Sequence, residues 1–207
     1  MVQYDLKHLT QENHQKVAGP IQDDEALFLY SIIRGRRFKY ILEIGGLSGY
    51  SATNFCKAVE NMNGTVYTVD INPVPKMANN HKVIIKDARK LEPSDIDNNV
   101  LDMIFFDCHD YDAQWDMFET LKKNNMIDDN TTLALHDTNI HPDKYMGFSY
   151  LSEAGWIHQP VERRLVNKFK SIGYDIFSLH TKNSSHNDEM PYRHGVSVCT
   201  KYKFLVT

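Results

Sequence analysis

The stretch "ILEIGGLSGYS", residues 41–51, places three glycines within five positions directly after an apolar run. The apolar run predicts a buried β-strand, and the residues after the glycines begin a helical pattern. Glycine in such a turn lets another group approach the backbone, and the first N–H groups of the helix carry partial positive charge. The stretch therefore predicts an α/β fold with an anionic group docked at this turn.

The rest of the chain repeats the alternation of strand and helix. Short segments rich in β-branched and aromatic residues predict strands at 39–44, 65–70, 82–86, 100–107 and 131–136. Helical patterns lie near 22–36, 51–62, 113–126 and 160–172. Segments 174–180 and 194–204 have no helix between them and predict an antiparallel hairpin that closes one sheet edge. We therefore expect an α/β protein with a mostly parallel seven-stranded sheet and helices on both faces.

Length and composition narrow the classes of function. A chain of 207 residues suits a single domain, residues 1–207, and it has no apolar stretch of the roughly 20 residues that cross a bilayer. The N-terminus lacks the basic and apolar parts of a secretory signal, so we expect a cytoplasmic protein. The net charge of −4 comes without a basic stripe, which argues against nucleic acid as a partner. The three cysteines show no CxxC spacing, which argues against a thiolate zinc site.

The spacing of the glycines argues against a dinucleotide or nucleotide phosphate. The GxGxxG fingerprint would need glycine at positions 45, 47 and 50, but Leu47 and Tyr50 stand there, and no Gly-Lys-Ser/Thr follows. The pattern present is Glu-x-Gly-x-x-x-Gly, beginning at Glu43. Asp70 ends the next predicted strand, where a carboxylate can accept the hydroxyl protons of a ribose. These features together predict a nucleoside ligand.

The motif "EIGGLSGYSA" resembles the first motif of class I S-adenosylmethionine-dependent methyltransferases, closest to the catechol and caffeoyl-CoA O-methyltransferases. The resemblance extends over residues 20–140 and implies a Rossmann-like methyltransferase fold with S-adenosyl-L-methionine as cofactor. It implies that the backbone at two glycines approaches the cofactor, and that side chains hold the methionine carboxylate, the ribose and the adenine. The cofactor residues carried over by position are Gln22, Glu43, Gly45, Gly49, Ser51, Asp70, Asp87 and Asp107.

Four polar residues end the fourth and fifth predicted strands, in "FFDCHDYD" and "LALHDTN". Asp107, His109, His136 and Asp137 should therefore meet at the carboxyl edge of the sheet. Two neighbouring carboxylates repel each other unless a cation or proton lies between them, so we expect a divalent cation. In the catechol-type enzymes, positions matching Asp107 and Asp137 bind metal, whereas Thr138 replaces an expected Asn.

A second group in the resemblance, the cephalosporin-biosynthesis type, has an acidic residue at the position of His136. His136 as a metal ligand would favour a transition metal over Mg²⁺. The catalytic lysine of the catechol type is replaced by Asp110. His109 and His136 are then the candidates for the general base, because neutral imidazole accepts a hydroxyl proton near neutral pH.

The long aromatic stretch 138–159 is interpreted as a lid over a small-molecule acceptor, and residues 1–38 as a segment that covers the cofactor. The leading hypothesis is a methyltransferase that methylates an oxygen with help from the cation. Two alternatives stay open: a cofactor-binding module that has lost catalysis, and a histidine/carboxylate metal hydrolase. The edge hairpin would also suit a homodimer interface.

Overall fold

The computed structural model describes residues 21, 23–139, 149–152, 155–158, 161–180 and 195–201. The described helices are α1 (Asp23–Arg36), α2 (Tyr50–Val59), α3 (Tyr111–Lys123) and α4 (Val161–Ser171). The described strands are β1 (Tyr40–Ile44), β2 (Thr65–Asp70), β3 (His81–Ile85), β4 (Met103–Phe106), β5 (Thr132–Leu135), β6 (Ser149–Ser152), β7 (Gly155–His158), β8 (Asp175–Leu179) and β9 (Val196–Thr200). Short 3₁₀ turns lie at Glu60–Met62, Ala88–Lys90 and Pro93–Ile96.

The main sheet has seven strands in the order β3-β2-β1-β4-β5-β9-β8. The first five run parallel, β9 pairs antiparallel with β5, and β8 pairs antiparallel with β9 at the edge. The strand order reverses between β1 and β4, where Ile44 lies beside Phe106. Open α/β sheets bind ligands in the crevice at such a reversal, beyond the carboxyl ends of the strands.

Side chains of the central strands alternate between two apolar layers. Ile41 and Phe105 pack on the side of α1 and α2, while Leu42 and Phe106 pack on the side of α3 and α4. All four are buried, as expected for strands covered by helices on both faces. Burial of side chains of this size contributes about 1.5–3 kcal/mol each, so the sheet is held rigidly beneath its ligand edge.

The predicted fold class is confirmed, including the antiparallel hairpin at the sheet edge. The predicted elements agree with the described ones to within a few residues at their ends, where fraying and capping decide the boundary. One feature was not predicted: β6 and β7 form a two-stranded hairpin inside the predicted lid, 138–159. The single domain, the lid and the covering segment 1–38 stay predictions. Within the described residues, no helix combines the length and apolar character needed to cross a membrane.

Candidate active site

The glycine turn lies at the reversal of strand order, between the ends of β1 and β4. Gly45 has a φ of 89°, and a Cβ there would lie 2.4 Å from the carbonyl oxygen of Asp107. Gly49 has a φ of 77° and begins α2 without a hydrogen bond from a capping side chain. A Cβ at Gly49 would lie 2.5 Å from Sδ of Met77. A side chain at Gly45 would therefore clash with the backbone, whereas at Gly49 the nearest contact is a flexible side chain and the positive φ is what disfavours a larger residue.

A cavity of about 360 Å³ opens beside this turn, a volume within the usual range for small-molecule sites. It runs from the glycine turn, past the ends of β2 and β3, to the end of β4. Five of the predicted cofactor residues line it: Gly45, Ser51, Asp70, Asp87 and Asp107. Glu43 and Gly49 are buried, and neither lines the cavity. Gln22 lies outside the described residues.

Asp70 links the end of β2 to the glycine turn. Its Oδ2 accepts a hydrogen bond of 2.9 Å from the N–H of Gly46, and its Oδ1 accepts one of 2.8 Å from the N–H of Asn72. Each carboxylate oxygen has a second lone-pair direction, so both can also accept a hydroxyl proton from a ligand. The adjacent Ile71 is 72% exposed and also lines the cavity, where it offers an apolar surface to a flat ligand.

Glu43 is the centre of a buried hydrogen-bond network below the turn. Its Oε1 accepts from the hydroxyl of Ser51, and its Oε2 accepts from Thr68 at 2.6 Å. Oγ1 of Thr68 lies 2.8 Å from Nε2 of His81, whose Nδ1 accepts the N–H of Met77. Burial raises the pKa of Glu43 to about 7, although both hydroxyl hydrogen bonds favour its charged form. Ser51 was predicted to bind the carboxylate of the cofactor. In this structure its hydroxyl donates to Glu43 instead.

Asp87 follows β3 and caps the short 3₁₀ turn at Ala88–Lys90. Its Oδ1 accepts from the backbone N–H and from Nε of Arg89, both at 3.0 Å. These hydrogen bonds hold the pKa of Asp87 below its usual value. The predicted adenine contact would have to share a carboxylate that Arg89 already engages.

The predicted polar rim forms at the ends of β4 and β5. Asp107, His109 and Asp137 each offer a ligand atom, and these atoms lie within 4.8 Å of one another. Nε2 of His109 is 3.5 Å from Oδ2 of Asp137 and 3.9 Å from Oδ1 of Asp107. His109 and Asp137 have φ values of 55° and 52°, a left-handed conformation that non-glycine residues seldom adopt. Such conformations tend to cluster at functional sites, although Arg37 and Asn63 adopt them in turns outside the cavity.

His136 lies behind this group and is fully buried. Its Nδ1 is 3.3 Å from Oδ1 of Asp107 and 3.5 Å from Oδ1 of Asp137, while its Nε2 is 3.4 Å from Oε2 of Glu25. Burial disfavours the charged ring, but Asp137 and Asp107 outweigh it and hold the pKa of His136 well above its ordinary range. Burial raises the pKa of Asp107 to about 6, although His136 acts in the opposite direction. The charged ring of His136 therefore compensates negative charge on Asp107 and Asp137.

The fold has counterparts among solved structures. A protein assigned as a caffeoyl-CoA O-methyltransferase from Staphylococcus aureus superposes with a TM-score of 0.64 and 18% identity, over 97% of this chain and 93% of that one. An O-methyltransferase from Bacillus cereus in complex with SAH gives 0.60 and 17%, over 97% and 93%. TomG, an O-methyltransferase from Streptomyces achromogenes in complex with SAM, gives 0.58 and 16%, over 97% and 91%. At these identities the likeness establishes the fold.

The sequence itself identifies the domain. Residues 42–138 match the family model described as a methyltransferase domain. Residues 42–138 thus carry a methyltransferase domain, which is consistent with a class I S-adenosylmethionine-dependent methyltransferase. A search of curated proteins found no significant match. The predicted family and enzyme class are confirmed.

The two departures of this methyltransferase from the catechol-type pattern have structural explanations. Thr138 is buried, and its hydroxyl accepts from Ser197 at 2.7 Å and lies 2.9 Å from Nε2 of His180. It therefore ties β5 to β8 and β9 instead of contributing a ligand oxygen. Asp110, at the lysine position, caps α3 by accepting the N–H of Ala113 at 3.0 Å. Its role in holding the start of α3 explains an acid at that position.

Two buried acidic residues of the candidate site were not predicted from the sequence. Glu25 on α1 and Glu162 on α4 are both fully buried, and each faces a rim histidine. Burial disfavours the charged form of His109, but the hydrogen bond and charge of Glu162 raise the pKa of His109 to about 9. Buried glutamates are rare unless they are paired, but nothing in the sequence shows that these positions are buried.

Proposed function

We propose that this protein transfers the methyl group of S-adenosylmethionine to an oxygen of a small-molecule acceptor, assisted by a divalent cation on the rim. One observation carries the proposal: a single cavity joins Asp70 and the glycine turn to Asp107, His109 and Asp137. The proposed cofactor-binding residues and the acidic rim residues therefore line the same cavity. Bound S-adenosylmethionine supplies a methyl group on a sulfonium, so the protein must chiefly align the acceptor and promote loss of its proton.

The residues at the cofactor end fit a nucleoside with an amino-acid tail. Asp70 offers two acceptor oxygens to ribose hydroxyls, and the exposed Ile71 offers an apolar surface for a base. The start of α2 has no side-chain cap, so its first N–H groups suit a carboxylate. The hydroxyl of Ser51 lies on the same wall. Asp87 and Arg89 border the far end of the cavity.

The charges at the rim fit a divalent cation. Among the described residues, four carboxylates, of Glu25, Asp107, Asp137 and Glu162, lie beside two imidazoles, of His109 and His136. Buried negative charge in excess is costly unless a cation is bound. The ligand atoms would be carboxylate oxygens of Asp107 and Asp137 and Nε2 of His109, a donor set that suits a transition metal better than Mg²⁺. A bound cation lowers the pKa of an acceptor hydroxyl and orients it.

The two histidines have different roles in this proposal. His109 lies on the cavity wall and is partly exposed, so its ring can reach either a cation or an acceptor. His136 is enclosed by Glu25, Asp107 and Asp137, and we assign it to positioning the two aspartates. His109 is then the better candidate for a direct role in the reaction.

Calorimetry with S-adenosylmethionine tests the cofactor site. The wild type should bind, and Asp70→Asn should bind at least about ten-fold more weakly, because a hydrogen bond to a charged group contributes about 1.5–3 kcal/mol. Asp175→Asn makes the same chemical change on exposed β8, away from the cavity, and should bind like the wild type. Absence of binding by the wild type, or undiminished binding by Asp70→Asn, would refute the cofactor assignment.

A further inference from the structure

Glu162 belongs to the first turn of α4, and its carboxyl group reaches the rim from outside the sheet. It is fully buried, and the side chain is not one of the predicted site residues. Residue 162 lies three positions after the end of the predicted lid, 138–159. The inference drawn from its contacts rests on the proposed function, because it concerns the ligand set of the rim cation.

Three N–H donors converge on this one carboxyl group. Oε1 accepts from the backbone N–H of His109 at 3.0 Å and from Nε2 of Gln114 at 3.0 Å. Nδ1 of the His109 ring lies 3.1 Å from Oε1 and 3.2 Å from Oε2. Gln114 is itself fully buried, so α3 holds the carboxyl group from one side while the carboxyl group holds His109 from the other.

This arrangement determines which nitrogen of His109 can serve as a ligand. A carboxylate only accepts hydrogen bonds, so the proton of a neutral ring must lie on Nδ1. Nε2 then has the lone pair, and it is the atom that faces Asp137 at 3.5 Å and Asp107 at 3.9 Å. The bond to the backbone N–H also holds His109 in its left-handed conformation, with a φ of 55°.

We propose that Glu162 is a positioning residue that fixes the tautomer and direction of His109, so that Nε2 completes a cation site with Asp107 and Asp137. Carboxylates hydrogen-bonded to metal-binding histidines orient the ring and raise its basicity, and their loss typically lowers metal affinity 10- to 100-fold. A role limited to packing would need the shape of this side chain but not its negative charge.

The test compares Glu162→Gln with Glu119→Gln, the same chemical change on the exposed face of α3. The full chain is treated with chelator, and the affinities for Zn²⁺ alone and for S-adenosylmethionine are measured by calorimetry. Glu162→Gln should bind Zn²⁺ about 10- to 100-fold more weakly than the wild type while its cofactor affinity stays within about two-fold. Glu119→Gln should match the wild type for both ligands. Zn²⁺ affinity unchanged in Glu162→Gln would overturn the inference.

A second measurement keeps the inference falsifiable if Glu162→Gln does not fold. Nitrogen-15 NMR of the zinc-loaded wild type should show His109 with a proton on Nδ1 and zinc on Nε2. The reverse assignment, or a His109 ring without zinc, would overturn the inference. A wild type that binds S-adenosylmethionine but not Zn²⁺ would remove this inference and the cation while leaving the cofactor site. A wild type that does not bind S-adenosylmethionine would instead refute the proposed function.

Discussion

Glu43 shows how burial alone can set the charge of a residue at the base of the site. Its side chain is fully buried in the apolar interior, and its hydrogen-bond partners Ser51 and Thr68 are neutral. Burial raises its pKa from 4.5 to about 7. Between these values the folded protein holds a proton that the unfolded chain has released. The contribution of this proton to stability is therefore complete below pH 4.5 and is lost as the pH rises through 7.

We predict that Glu43→Gln flattens the pH dependence of stability between pH 4.5 and 7. A shift of this size corresponds to about 3 kcal/mol, because one pKa unit is equivalent to about 1.4 kcal/mol. Glutamine has the shape of the protonated acid, so it can keep both hydroxyl partners without acquiring a charge. The free energy of unfolding, measured by denaturant titration at several pH values, checks the prediction. An equal slope in wild type and variant would contradict it.

Single residues at the strand ends could be predicted because their positions follow from a simple pattern. Parallel strands end at one edge, so Asp70, Asp107 and Asp137 had to lie near one another once the strands were recognised. Glu162 could not be predicted in this way, because it contacts His109 across 53 positions of sequence. Its place depends on how α4 packs against α3, and helix packing leaves no local signature in one sequence.

At the scale of elements, α1 carries an acid into the site from the other face of the sheet. Oε2 of Glu25 lies 3.4 Å from Nε2 of His136, and its Oε1 accepts the N–H of Gly195 at 2.9 Å. The carboxyl group therefore connects α1 to β5 and to the start of β9. The amphipathic pattern of α1 predicts a packing helix, but a single sequence does not show that one of its acids faces a histidine.

We predict that Glu25→Gln lowers the free energy of unfolding by about 1.5–3 kcal/mol, because it removes a charged partner of Nε2 of His136 while Asp107 and Asp137 still face Nδ1. Glutamine can still accept the N–H of Gly195, so the loss reports the pair with His136. Glu60→Gln breaks the exposed pair with Lys57 and should cost no more than about 1 kcal/mol. Denaturant unfolding of both variants checks the prediction, and equal effects would contradict it.

At the scale of the whole molecule, the alternation of strands and helices was enough to predict the sheet, its two helical layers and its antiparallel edge. Each predicted strand is short, apolar and bounded by polar residues, so local pattern and global fold agree. The β6–β7 hairpin was missed because its strands, SYLS and GWIH, are not the continuous apolar runs that marked β4 and β5, which have the same length. The site residues at the ends of the main-sheet strands could therefore be predicted from the sequence, whereas those on α1 and α4 could not.

The two proposed ligands should stabilise the folded protein independently, since they occupy opposite ends of one cavity. A ligand at 100 times its dissociation constant adds about 2.7 kcal/mol to the free energy of unfolding. In Asp137→Asn, we expect the stabilisation by Zn²⁺ to disappear and the stabilisation by S-adenosylmethionine to remain. Asparagine tolerates the left-handed φ of 52° at this position, so the change removes a charge without straining the turn.

Thermal unfolding with each ligand checks this prediction, and methyl transfer in the presence of chelator extends it. Chelator should abolish turnover by the wild type while leaving the shift in Tm by S-adenosylmethionine intact. Asp128→Asn, an exchange of the same kind in the turn before β5, should keep both stabilisations. Zinc stabilisation that survives in Asp137→Asn would remove this residue from the ligand set. Full activity in chelator would contradict the role of the cation in turnover.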